Sequence, residues 1–313
     1  DLLIRHLSAI DASVKNNGMN YASRRLYSYF SHSGVYNELI SGLEYYWFLD
    51  DLVNNFDSKA DEIIAGIEET ASTLFSTSNM IAGITCNEKD FELYSEELAG
   101  FVSSIPDTEV EMNQWDIMPE KKNEAFATTS KVQYVLKGAN FKDLDYEWSG
   151  RLMVLNQVIS TDWLQNQIRV IGGAYGGFAR FSRTGNMYFG SYRDPNLRET
   201  LEVYDNTPGY LDDFEADESS MTRYIIGTVS NMDYPETASM KANNVLSIYF
   251  NGITRDFMQT QRNEVLSTTA DDISGMSNMV NKLMEQDIYC VYGNNEKIEN
   301  NRDLFMEVID PVK

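Results

Sequence analysis

Between Tyr175 and Tyr192 the chain reads as two alternating apolar arms around a tight turn, a pattern that commits it to an antiparallel sheet. Tyr175, Phe178 and Phe181 mark one arm, and Met187, Phe189 and Tyr192 the other, with Thr184-Gly185-Asn186 between them. Glycine and asparagine supply the left-handed backbone that a short hairpin turn requires. A further strand signal, TSKVQYVLKGANF over 129–141, alternates Val132, Tyr134 and Leu136 on one side. The stretch 144–167 is predicted to be a helix, with Leu152, Leu155, Val158 and Ile159 on one apolar face. Residues 194–231 read as helix with an acidic break at DDFEADE, and a helix pair spans 238–285, split near Asn251-Gly252.

Upstream the pattern is mostly helical. Residues 1–30 form one amphipathic run with a weak point at Asn16-Asn17-Gly18, and 35–56, 58–73 and 88–103 follow in the same manner. One strand-like run, NMIAGITC at 79–86, interrupts them. Helices leading into a single strand do not complete a sheet, so this part reads as the tail of a domain whose opening strands lie upstream. The start at Asp1, without Met and within a helix, reads the same way. The stretch 103–125, with Pro106, Pro119 and many charges, is the best linker. The ending, QDIYCVYGNNEKIENNRDLFMEVI, parallels NMIAGITCNEKDFELYSEELAGFV as strand, polar turn and amphipathic helix, which suggests an internal duplication with a truncated first copy.

A chain of 313 residues has room for two domains. Its 48 acidic against 25 basic residues give a net charge of -23, which disfavours nucleic acid and anionic membrane and favours cationic partners or simply solubility. No apolar run approaches the roughly 18 residues of a membrane span, and no leader pattern is visible. Cys86 and Cys290 each sit in an apolar, strand-like run, as buried thiols in a reducing compartment do.

The two histidines, His6 and His32, belong to no His-x-x-Glu-His cluster, and a zinc site needs three or four converging ligands. No phosphate-binding Gly-x-x-x-x-Gly-Lys loop and no Gly-x-Ser-x-Gly elbow occurs. The acidic run Asp212, Asp213, Glu215, Asp217, Glu218 lacks the glycine of a calcium loop and reads as a solvated turn. The segment with chemical interest is IRVIGGAYGGFARF, 168–181, where Arg169 and Tyr175 flank Gly172-Gly173-Ala174. Small residues let another backbone approach, an arginine donates to peptide carbonyls, and a tyrosine hydroxyl donates to a developing oxyanion. The same residues also suit a bulged strand with a buried tyrosine.

SKVQYVLKGANF, VISTDWLQNQIRV, GGAYGGF and SYRDPN together resemble the last domain of the presequence-protease branch of the pitrilysin and insulinase zinc metallopeptidases. RRLYSYFSHSGVYNELISGLEYYWFL, 24–49, resembles the third domain of the same enzymes. The resemblance implies an α+β fold, a metallopeptidase-type domain with a mostly antiparallel sheet and helices on one face. Residues 119–313 would be the fourth, inactive domain, and 1–118 a truncated third copy ahead of it. It further implies that zinc and a catalytic glutamate, on an inverted His-x-x-Glu-His motif, belong to a first domain outside this chain, which itself carries no cofactor. Arg169 would hold the substrate backbone and Tyr175 would steady the tetrahedral intermediate of peptide hydrolysis. The expected partners are the N-terminal catalytic half and a short unstructured peptide, basic if the acidic surface steers it, with no nucleic acid and no membrane. The chain alone is expected to be inactive. The alternative is a non-catalytic peptide-binding or scaffold subunit of the same superfamily. The expected location is a bacterial cytoplasm, or alternatively an organelle matrix.

Overall fold

In the computed structural model, which describes residues 1–109 and 114–312, six strands among those residues form one mixed sheet. They are β1 (Asn123–Thr128), β2 (Gln133–Asn140), β3 (Gly176–Phe181), β4 (Asn186–Asp194), β5 (Tyr289–Asn294) and β6 (Glu307–Ile309). Their order is β3-β4-β2-β5-β1-β6. The β3/β4, β4/β2 and β2/β5 pairs are antiparallel, whereas β1 runs parallel to both β5 and β6. The sheet is therefore mostly antiparallel, as expected. The β3–β4 hairpin turns where the sequence places it, with Gly185 at φ 95°; a side chain there would also run into Asn140.

Alternation along the strands sends neighbouring residues to opposite faces, and each face has its own core. Val135, Ala139, Met187, Phe189 and Val291 join the helix Arg151–Val158 and its continuation in one cluster. Leu136, Tyr188, Cys290, Tyr292 and Phe126 join Val14, Tyr21, Leu26 and Leu43 from the N-terminal helices in the other. Helices thus cover both faces of the sheet, where one was expected. The second cover comes from the helices Leu2–Asn16, Gly18–Ser28 and Leu43–Asn54.

Two strands escape a sequence reading. β1 is NEAFAT, inside the stretch taken for a linker, and its Glu124 is buried. That carboxylate is matched by Arg25, whose Nε donates to it at 2.8 Å, and by the Tyr29 hydroxyl at 2.7 Å. Arg25 also donates to Glu44 at 2.7 Å. Burial works against ionisation of Glu124, yet the hydrogen bond and charge of Arg25 outweigh it and hold the carboxyl below its ordinary value. β6 lies in the region read as a final helix; the chain there forms a short helix, Asn295–Glu299, a 3₁₀ turn, Arg302–Leu304, and then the strand. The reverse error occurs at residues 80–86, which carry strand-like apolar character but form no strand. Cys86 is accordingly exposed, not buried, while Cys290 is buried within β5.

By packing, one unit comprises Asp1–Asp50, Ile117–Asp233 and Gln259–Lys313, and contains the whole sheet. The other comprises Asp51–Asp116 and Tyr234–Met258 and is helical. These units interleave along the chain, so a division into 1–118 and 119–313 describes sequence order and not compact bodies.

Candidate functional site

The helix Arg151–Val158 runs on without a break into a wider, π-helical segment, Ile159–Ile171. Leu152, Leu155, Val158, Ile159, Leu164 and Ile168 point into the core and fix its rotation. Past Ile168 the segment emerges: Val170 and Ile171 are exposed, as is Arg169. The segment is closed by Gly172 and Gly173, the latter at φ 78°, a backbone conformation that costs glycine little. Gly173 N–H donates to the Arg169 carbonyl and Ala174 N–H to that of Ile168, both at 3.1 Å. The chain then enters the sheet, with Tyr175 N–H donating to Tyr192 O at 3.1 Å.

SYRDPN braces this turn from the next strand. Asn196 Nδ2 donates to the Gly172 carbonyl at 2.7 Å, and Asp194 accepts from Asn196 N–H at 2.9 Å and from Thr200 Oγ1 at 2.7 Å. Burial pushes the Asp194 carboxyl above its ordinary value, against the pull of these hydrogen bonds. The motif therefore holds the shape of the loop between helix and β3.

The two residues singled out from sequence come together. The Arg169 guanidinium lies 5.8 Å from the centre of the Tyr175 ring, in cation–π contact. Tyr175 is 68% exposed, which removes the reading of a buried tyrosine in a bulged strand. It meets Tyr192 edge-on at 5.9 Å, and Tyr192 lies 5.3 Å from Tyr134. Among the described residues, no protein acceptor takes the Tyr175 hydroxyl and no carboxylate pairs with Arg169. Both are available to a ligand at the edge of the sheet, because β3 is hydrogen-bonded to β4 alone. Sequence reading missed Tyr192, Tyr134 and Arg193 as neighbours of this pair. Cross-strand register brings them there, and only the aromatic alternation hinted at it.

The histidines and the acidic run are structural. His6 Nε2 contacts the Tyr45 hydroxyl at 3.0 Å, and His32 opens the helix His32–Ser41. Asp217 caps the helix Glu218–Met232 by accepting from Ser220 N–H. Among the described residues no three His, Cys, Asp or Glu side chains converge as a metal ion would need. The side chains present do not fit a zinc site, and no step here runs through one.

Residues 123–291, more than half of the chain, match the family described as PreP C-terminal domain. The chain belongs to that family. Residues 1–52 match a second family, described as associated with the M16 peptidases of subfamily C. Protein HypA of Clostridium perfringens (strain 13 / Type A) is 37% identical over 304 residues, covering 97% of this chain and 31% of that protein. Presequence protease 1, chloroplastic/mitochondrial, of Arabidopsis thaliana is 30% identical over 300 residues, covering 94% of this chain and 28% of that protein. The crystal structure of pitrilysin aligns with a TM-score of 0.47 at 14% identity, over 66% of this chain and 23% of that one. The chain spans less than a third of the length of the two curated relatives. The PreP C-terminal domain match and the presequence-protease relative make it the C-terminal part of an M16 peptidase of the presequence-protease type.

Proposed function

We propose that this chain is the substrate-binding half of a zinc metalloendopeptidase that degrades short, unstructured peptides, and that it does not cleave them alone. The observation carrying this reading is the contact between Arg169 and Tyr175 at an open sheet edge, both free of protein partners. Arg169 presents several N–H donors to the carbonyls of an extended peptide. Tyr175 donates its hydroxyl to the carbonyl oxygen as that oxygen gains charge. Zinc would supply the activated water from an N-terminal half of the same enzyme, and residues 1–118 would complete a third domain with that half. The net charge of -23 supports long-range attraction of basic peptides. Among the described residues no helix is long and apolar enough to cross a membrane. The Clostridium relative supports a bacterial cytoplasm, and the chloroplastic and mitochondrial relative the organelle alternative.

Tyr175→Phe in the full-length enzyme tests the reading. Removing one oxyanion donor should lower kcat by about 10²–10³ while KM changes little. An unchanged kcat takes Tyr175 out of the mechanism. Activity of the 313-residue chain alone would place the chemistry elsewhere.

A further inference from the structure

The charge of the hairpin runs against that of the molecule. From Trp163 to Arg198 the chain carries five arginines and a single acidic residue, Asp194, in a protein of net charge -23. Asp194 is fully buried and occupied by Asn196 and Thr200, so it neutralises little at the surface. Arg198 is paired with Asp303, and Arg180 rests on the Phe178 ring and donates to the Ala179 carbonyl. Arg169 and Arg193 are different. Among the described residues no carboxylate lies within ion-pairing distance of either.

Each of these two guanidiniums lies against a tyrosine, Arg169 at 5.8 Å from the Tyr175 ring and Arg193 at 5.7 Å from the Tyr192 ring. Those two rings meet edge-on at 5.9 Å, so the guanidiniums bracket a continuous aromatic platform. Arg193 is held at φ 51°, in the left-handed region that non-glycine residues seldom occupy. Gly176, the register partner of Tyr192, leaves open space where a side chain would stand. A guanidinium resting on a ring is oriented, and its planar fork matches the two oxygens of a carboxylate.

We propose that Arg169 and Arg193, with Tyr175 and Tyr192 between them, form a clamp for a carboxylate of the bound peptide, either its C-terminus or an acidic side chain. The inference rests on the peptide-site reading above and adds Arg193 as a specificity residue. It separates two electrostatic roles: the acidic body attracts a cationic peptide at long range, and the arginine hairpin receives its anionic group at contact. A peptide with a basic body and a free C-terminus satisfies both.

The test is a fluorescence-anisotropy titration of the chain with three N-terminally labelled peptides of one uncharged sequence. One has a free C-terminal carboxylate, one a C-terminal amide, and one the amide plus an internal glutamate. The wild type should bind at least one carboxylate-bearing peptide about 3–10-fold more tightly than the plain amide, a range suited to an exposed but oriented ion pair. Which of the two gains identifies the carboxylate's source. Arg193→Gln should erase the advantage, and Arg193→Lys should restore only part of it, since an ammonium lacks the fork. Equal binding of all three peptides, or an advantage that survives Arg193→Gln, overturns the clamp. In that event, weaker binding of the plain amide by Arg169→Gln would leave the peptide-site reading standing. Failure of all three peptides to bind would bring down both.

Discussion

The sheet-bearing unit and the helical unit are written in similar amphipathic patterns, yet they bury very different amounts of apolar surface. In the first, both faces of the sheet are packed, and Leu155, Val158, Phe189 and Val291 are wholly inaccessible. In the second, the helices Phe56–Leu74, Glu88–Ser103 and Ala238–Phe250 contain no buried residue. Ile67 is 61% exposed and Leu74 62%. The contrast shows which structures depend on neighbours. A helix satisfies its backbone within its own segment and can be read from local pattern even where its apolar stripe is open. A strand needs another strand. The apolar run at 80–86 lacks one and stays extended, whereas the polar NEAFAT becomes β1 because β5 and β6 flank it.

Core truncation should separate the units most sharply. Leu155→Ala, in the packed face, should cost about 2–5 kcal/mol, while Ile67→Ala should stay within about 0.5 kcal/mol. Hydrogen exchange of amides in each unit would read both values; a large loss at Ile67 would mean that its helix face is covered in solution. Glycines should reverse sign between the units. A Cβ at Gly177 would meet Ile168 at 2.8 Å, so Gly177→Ala should destabilise the sheet by about 1–3 kcal/mol. Gly66 lies mid-helix with nothing near its missing side chain, and Gly66→Ala should stabilise that helix by about 1 kcal/mol. Urea titrations showing the same sign at both positions would erase the distinction.

The smallest effect concerns buried charge, which the sheet-bearing unit has at Arg25, Glu38 and Glu124, whereas the helical unit's Lys59–Asp51 pair faces solvent. Burial raises the Glu38 carboxyl above its ordinary value, and Arg25 and the Leu43 and Glu44 amides only partly offset this. A raised acid favours the fold while protonated, so its contribution is complete below the ordinary value and disappears as pH rises through the raised one. Glu38→Gln should therefore gain stability relative to the wild type as pH rises from 4 toward 7. Unfolding midpoints that differ by a constant amount over this interval would contradict it.

Much of the site was legible in residues 168–181, because a Gly-Gly turn flanked by arginine and tyrosine is a local feature and the hairpin after it is fixed by its own turn residues. Tyr192 and Arg193 were not legible as its neighbours. Their approach depends on pairing Gly176 with Tyr192 across the hairpin and on a left-handed backbone at Arg193, which no residue preference announces. The role of Asn196 was hidden for a similar reason: a polar side chain in a Pro-containing loop looks solvated until its Gly172 partner is placed.

By itself the sequence determined the helices, the β3–β4 hairpin, the burial of Cys290 and the pairing of Arg169 with Tyr175, since each follows from spacing within about twenty residues. Tertiary structure decided that a charged segment would become β1, that helices would cover both faces of the sheet, and that two unpaired arginines would share one aromatic platform. These outcomes join residues far apart in the chain. Glu124 enters the sheet only because Arg25, ninety-nine positions away, arrives to hold its charge.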